Sequence, residues 1–212
     1  NGTVVTFTTN LGSVGSTSVT KTTTTGVATA TLTSQLPGTA TITATAGSIS
    51  DTETVVFNLG LPYTVTLIAY PTSIPVAGYT STLTTTVRDK YNNNVANGTL
   101  VTFTTSLGQV GVGSTWVTKT TSSGIATAIL TSGNIAGPAV VTATSDSKVA
   151  TTTVQFTPLL PYTLTLTAYP TTLTVEASSR LTATVKDQYN NNVANGTVVT
   201  FTTNLGSVGS TS

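Results

Sequence analysis

Three groups of side chains have types and spacings that could do chemistry. The first is Asn-Gly-Thr, present at Asn1, Asn97 and Asn195. On a surface loop of a secreted protein this sequon accepts an N-glycan where the host has the machinery. The same Asn-Gly pair also supplies the positive φ of a tight turn into a strand, with no sugar required. The second group is Asp89 to Asn94, copied at Asp187 to Asn192, where one carboxylate and several amide oxygens lie close together. Calcium takes about six to eight oxygens and usually more than one carboxylate. With one acid per turn, the expected role is local: Asp and Asn side chains bond their own backbone, and Tyr91 and Tyr189 pack over a sheet end. The third group is Asp51 and Glu53, on one face of a strand, a pairing that hydrolyses glycosidic bonds when a pocket holds it. The matching places in the next copy are Ala150 and Thr152, and an exposed strand forms no pocket.

Other mechanisms fail for want of residues. The chain has no His and no Cys, so a Ser or Thr nucleophile would need Lys as its base, and no Ser/Lys motif stands out. Lys21 and Lys119 hold equivalent positions and could form an isopeptide cross-link, but no acid stands at a fixed place beside them. Trp116, opposite Ser18 in the other copy, is the sole Trp and reads as a surface aromatic half covered by its own loop. No Gly-rich loop precedes a helix, so phosphate binding is unsupported. Seven scattered cations and a net charge of +1 cannot form the basic stripe that nucleic acid needs. The expectation is therefore a protein with no catalytic residue, cofactor, metal, small-molecule substrate or nucleic-acid partner.

The elements that position these residues are strands. Thr makes up about a quarter of the chain, and its branched Cβ suits a pleated surface. Charged residues are 6%, against about 25% in an ordinary soluble domain. Apolar and polar residues alternate with period two in segment after segment. Val5 and Phe7 share one face, as do Ala28, Ala30 and Leu32, then Ala40, Ile42 and Ala44, then Val55 and Phe57. Further along, Val65, Leu67 and Ala69, then Leu83, Thr85 and Val87, point inward. Val101 and Phe103, Ala126, Ala128 and Leu130, Ala139, Val141 and Ala143, and Val154 and Phe156 complete the set. Turn signals fall about every 8 to 12 residues, the rhythm of an antiparallel sandwich.

The same block is written three times: NGTVVTFTTNLGSVG from Asn1, NGTLVTFTTSLGQVG from Asn97, and NGTVVTFTTNLGSVG from Asn195. Asn195 to Ser212 repeats Asn1 to Ser18 letter for letter. The short junctions LGLPY (Leu59 to Tyr63) and PLLPY (Pro158 to Tyr162) divide the chain into a partial module at 1–59, a complete one at 60–158 and a second partial one at 159–212. Proline and apolar side chains in so short a joint suggest limited bending. The ends are expected to be cuts in a longer array, with Val199 and Phe201 carrying a core as Val5 and Phe7 do.

The order of motifs resembles the bacterial Ig-like group 1 domains of the invasin and intimin adhesins. The matching residues are LTLTAYP, LTATVKDQYNNNVANGTVVTFTTNLG, VTKTTSSGIATAILTS, GPAVVTATS and TTTVQF, across the whole sequence. The family usually has Gly where this chain has Asn92 to Asn94. The resemblance implies tandem immunoglobulin-like antiparallel β-sandwiches, all-β, serving as spacers in long cell-surface or extracellular proteins. It also implies that any host or cell-surface ligand is bound by domains outside this window. The partners expected are neighbouring modules of the same chain. A self-assembling filament or surface-layer subunit, in which the chain is a homo-polymer, is the second reading, and a carbohydrate-binding module the third. The five Phe sit mostly at inward positions, which disfavours the third.

Overall fold

Period-two alternation becomes a strand here wherever a partner strand is at hand. The computed structural model describes residues 2–209, and among them all regular structure is β. In chain order the strands are β1 (Val4–Thr9), β2 (Ser18–Thr22), β3 (Gly38–Ala46), β4 (Ile49–Phe57), β5 (Thr64–Tyr70), β6 (Ser73–Pro75) and β7 (Thr80–Arg88). There follow β8 (Leu100–Thr105), β9 (Trp116–Thr120), β10 (Ile125–Thr131), β11 (Gly137–Ser145), β12 (Lys148–Thr157), β13 (Thr163–Tyr169) and β14 (Arg180–Lys186).

Strands β5 to β12 form a two-layer sandwich. One layer is β10-β7-β5, antiparallel throughout; the other is β6-β12-β11-β8-β9, antiparallel except for the short parallel pairing of β6 with β12. Facing side chains close a single core. Leu83, Val87 and Leu130 from the first layer meet Val101, Phe103, Val141, Val154 and Phe156 from the second, all fully buried. At about 25 cal/mol per Å² of apolar surface, burial of this kind is the main stabilising term in a fold without disulfides.

In its first two copies the repeated block folds as a strand and its turn. In β8, Val101 and Phe103 enter the core while Thr102 and Thr104 face outward. Gly108 then adopts φ +74, and a Cβ there would run into the Thr131 carbonyl and come within 2.9 Å of the Phe156 ring. Gly12 holds the matching place against the Thr33 carbonyl. The glycine of LGSVG and LGQVG is thus required by close packing as well as by its backbone angle.

The flanking segments have strands of one layer each. Residues 4–57 form a single sheet, β2-β1-β3-β4, and residues 163–186 a hairpin, β13-β14. The strand expected at Ala28 to Leu32 does not form, nor does the one at Val199 and Phe201. In the central sandwich their equivalents are β10, which hydrogen-bonds β7, and β8, which lies between β9 and β11. No equivalents of those partner strands lie beside them among the described residues. Val199 and Phe201 are accordingly only half-buried, and so are Val5 and Phe7.

One core position conflicts with its surroundings. Thr85, in the middle of β7, is fully buried, and its hydroxyl oxygen has no hydrogen-bond partner. The equivalent residue of β14 is Ala183, aligned by the matching registers of β5 with β7 and β13 with β14. An unpaired buried hydroxyl costs about 1–3 kcal/mol. Thr85→Val keeps the shape and removes the polar atom, so it should raise unfolding stability by about 1 kcal/mol, whereas Phe103→Ala should lower it by about 3–5 kcal/mol. Denaturant unfolding of the two variants beside the parent checks both.

Candidate functional site

Twice along the chain, the strand that ends in Arg88-Asp89 or Lys186-Asp187 runs into a turn whose aspartate is buried, 4% exposed at Asp89 and 2% at Asp187. A buried carboxylate must be hydrogen-bonded to be tolerated. The Asp89 Oδ1 accepts from the backbone N–H of Tyr91 and of Asn93, both at 2.9 Å. Its Oδ2 accepts from the Asn93 side-chain amide at 3.0 Å and from the Gly60 N–H at 3.3 Å. The Asp187 copy repeats the pattern with Tyr189 and Asn191 at 2.9 Å on Oδ1, and with Asn191 Nδ2 at 2.9 Å and the Leu159 N–H at 3.0 Å on Oδ2.

Asn fills the strained position of the turn. Asn92 and Asn190 both take φ +69, a left-handed conformation that Asn tolerates better than most residues. The Asn92 N–H donates to the Asp89 carbonyl at 3.0 Å, and Arg88 Nη1 donates to the Asn92 carbonyl at 2.9 Å.

The turn also reaches beyond its own strands. Asn93 Nδ2 donates to the Gln35 carbonyl at 2.7 Å, in the loop before β3, and Asn191 Nδ2 donates to the Asn134 carbonyl at 2.8 Å, in the loop before β11. Gly60 and Leu159 belong to the short junction segments, and in the same segments the N–H groups of Tyr63 and Tyr162 donate to the Arg88 and Lys186 carbonyls, each at 2.8 Å. Each aspartate therefore ties together its own turn, the junction segment and, through one asparagine, the loop of the preceding unit. Lys148 Nζ lies 5.4 Å from the Tyr63 ring centroid and adds a cation–π contact to the junction.

Electrostatics favour the ionised carboxylates. Burial pushes both aspartates up, but the bonds from the Asn93 amide and the Asn93, Tyr91 and Gly60 N–H groups outweigh it, and Asp89 titrates below the usual range. Asp187 is lowered in the same way by Asn191, Leu159 and Tyr189. Local bonding in this turn was legible from its Asp and Asn residues. The links to Gln35 and Asn134 were not, because the acceptors are backbone carbonyls that any residue carries.

The remaining candidate residues are dispersed. Asn97 sits in a turn where Gly98 has φ +86, and its Oδ1 accepts from the Ser123 N–H at 2.6 Å. Asn195 is exposed in the matching turn, and Asn1 lies outside the described residues. Asp51 and Glu53 are exposed on β4, opposite Ala44 and Ile42. Lys21 and Lys119 pair across their ladders with Val5 and Val101. Trp116 is 60% exposed on the edge strand β9. All four carboxylate oxygens of the two turns accept from N–H donors, and no group of three or more acidic, His or Cys residues able to hold a metal occurs among the described residues.

The class defined by this architecture is an immunoglobulin-like β-sandwich with a short hydrogen-bonded segment on either side of it. Residues 62–159 match the family model for invasin, domain 3. Among solved structures, invasin, described as a bacterial integrin-binding protein, is 27% identical, with a TM-score of 0.55 over 92% of this chain and 41% of its own. InvD of Yersinia pseudotuberculosis is 20% identical (TM-score 0.49; 91% of this chain, 62% of that one), and the Escherichia coli adhesin FdeC is 20% identical (TM-score 0.48; 76% and 54%). No curated protein matches the chain. The β5–β12 sandwich is an invasin/intimin-type bacterial Ig-like domain, and this chain spans about two fifths of the invasin structure it resembles.

The depressed aspartates have a pH signature. A carboxyl whose folded-state pKa lies below its unfolded value of about 3.9 contributes stability that is present above that value and lost as pH falls through the folded pKa. Unfolding stability should therefore hold level from neutral pH to about 5 and fall below about 4. Asp89→Asn should cost about 2 kcal/mol at pH 7 and flatten part of the acid-side fall, since the neutral amide loses charge-assisted bonds and turns an N–H toward donors. Urea unfolding from pH 7 to 3, parent against variant, measures both effects.

Proposed function

We propose that this chain is a non-enzymatic run of Ig-like modules, divided at 1–59, 60–158 and 159–212, that acts as a spacer in a long bacterial surface protein of adhesin type. The single observation that carries this reading is the twice-built junction: Asp89 with Asn93, and Asp187 with Asn191, each bonded to the segment between units and to the preceding loop. A buried ionised hub in a joint of a few residues resists bending, and stacked modules with stiff joints convert module number into reach. The match to an invasin domain supports the surface setting, with ligand recognition assigned to other domains of the full protein. Exposed Asn97 and Asn195 are acceptors for a glycan where the host supplies the transferase.

A specific observation favours a second reading, self-assembly. Half-buried Phe7, Ile42 and Phe57 on the β1–β4 sheet, and exposed Leu166 and Leu181 on the β13–β14 hairpin, are equivalents of residues the central sandwich buries between its layers. Between copies of this chain the two faces would complete one sandwich, as in strand complementation. Negative-stain microscopy separates the readings, since filaments with a fixed axial repeat support assembly and isolated rods support the spacer.

Single-molecule stretching tests the spacer. The β5–β12 sandwich should unfold in one cooperative event that releases about 30 nm of contour, at about 3.5 Å per residue. Gradual extension with no discrete event would contradict the reading.

A further inference from the structure

The two junctions share one plan, and two differences between them, at Pro37 and Gly60, weaken the first. Matching registers, Gly38 opposite Phe57 and Gly137 opposite Phe156, make Pro37 the equivalent of Ala136. The Ala136 N–H donates to Asn191 Oδ1 at 2.9 Å, so that asparagine bonds the preceding loop through both ends of its amide. Pro37 has no N–H, and among the described residues no protein donor meets Asn93 Oδ1. The asparagine of the first junction holds the preceding loop by one bond where the second uses two.

The junction segments differ as well. Leu159 packs its side chain against the core of the sandwich before it, while its N–H binds Asp187 at 3.0 Å. Its equivalent, Gly60, has no side chain to anchor, and its bond to Asp89 is longer, at 3.3 Å. A Cβ at Gly60 would come within 2.9 Å of the Asp89 Cβ, so the glycine packs directly on the hub, and beside the joint opens a cleft of about 330 Å³ lined by Leu36, Pro37, Phe57, Leu61, Tyr63 and Tyr91. A joint with one bond fewer, no apolar anchor and free volume beside it has more low-energy orientations.

We infer that the first junction is a hinge and the second a fixed joint, so that bending along this chain concentrates at Gly60 and Pro37. The inference deepens the spacer reading and rests on it for its use: a rod with one built-in hinge sweeps an arc while its remaining joints keep their reach. A proline in one loop and a glycine in one joint are all the chain needs to place that hinge in an array of near-identical repeats.

Spin-label distance measurement on the full chain tests this, and the absence of native Cys makes each introduced label unique. The pair Thr54→Cys with Thr66→Cys spans the first junction, and the equivalent pair Thr153→Cys with Thr165→Cys spans the second; all four positions are exposed strand residues. The distance distribution should be at least twice as broad across the first junction. Pro37→Ala should narrow it by restoring the donor to Asn93, and Ala136→Pro should broaden the second. Equally narrow distributions overturn the hinge and leave the spacer intact, whereas equally broad ones overturn both. A broad first distribution that Pro37→Ala leaves unchanged would place the motion in the β1–β4 sheet and also overturn the hinge.

Discussion

The structure turns on a buried carboxylate that has to find hydrogen-bond donors. Asp89 and Asp187 sit at the ends of β7 and β14, and each finds donors in its own turn and in the junction segment before its unit. Leaving such a group unpaired would cost far more than an exposed ion pair could return, so the turn, the joint and the carboxylate form together. Asn93 and Asn191 extend the same bonding across the joint, because a side-chain amide with two donors can serve the carboxylate and a foreign carbonyl at once.

That constraint explains why a chain with 6% charged residues keeps these aspartates at equivalent places. Elsewhere the repeats differ at single positions: Trp116 stands against Ser18, Thr85 against Ala183, Ala150 against Asp51. Those sites are exposed or tolerate a change of side chain with little effect on neighbours. The hub does not, since its acceptor meets several donors in fixed directions. Where the junctions diverge, the change lies in the partner loop and the joint, at Pro37 and Gly60, and it alters the number of bonds while the hub stays whole.

Much of the fold was legible in the sequence, for a simple physical reason. Alternation at Val101 and Phe103, or at Ala139, Val141 and Ala143, reports which face is buried, and the central sandwich buries all of them fully. The same pattern misled at Ala28 to Leu32 and at Val199 to Phe201, where a strand needs a ladder partner and none lies alongside. Periodicity records a preference, while pairing decides whether it is expressed. The junction was half legible. Asp and Asn announced a self-bonded turn, but Gly60, Leu159, Gln35 and Asn134 take part through backbone groups, which no residue type advertises. The short strand β6 and its parallel pairing to β12 were likewise hidden, since three residues give no period to read.

The central claim is that the Asp187 hub, with two bonds between Asn191 and the preceding loop, fixes one unit against the next. The most direct measurement is the alignment of amide bond vectors in weakly oriented solution by NMR, taken separately for the β5–β12 sandwich and the β13–β14 hairpin at neutral pH. If the Asp187 junction is rigid, both sets of residual dipolar couplings will fit one alignment tensor of one magnitude and direction. If the hairpin requires its own, weaker tensor, the junction does not hold the units together and the account is wrong.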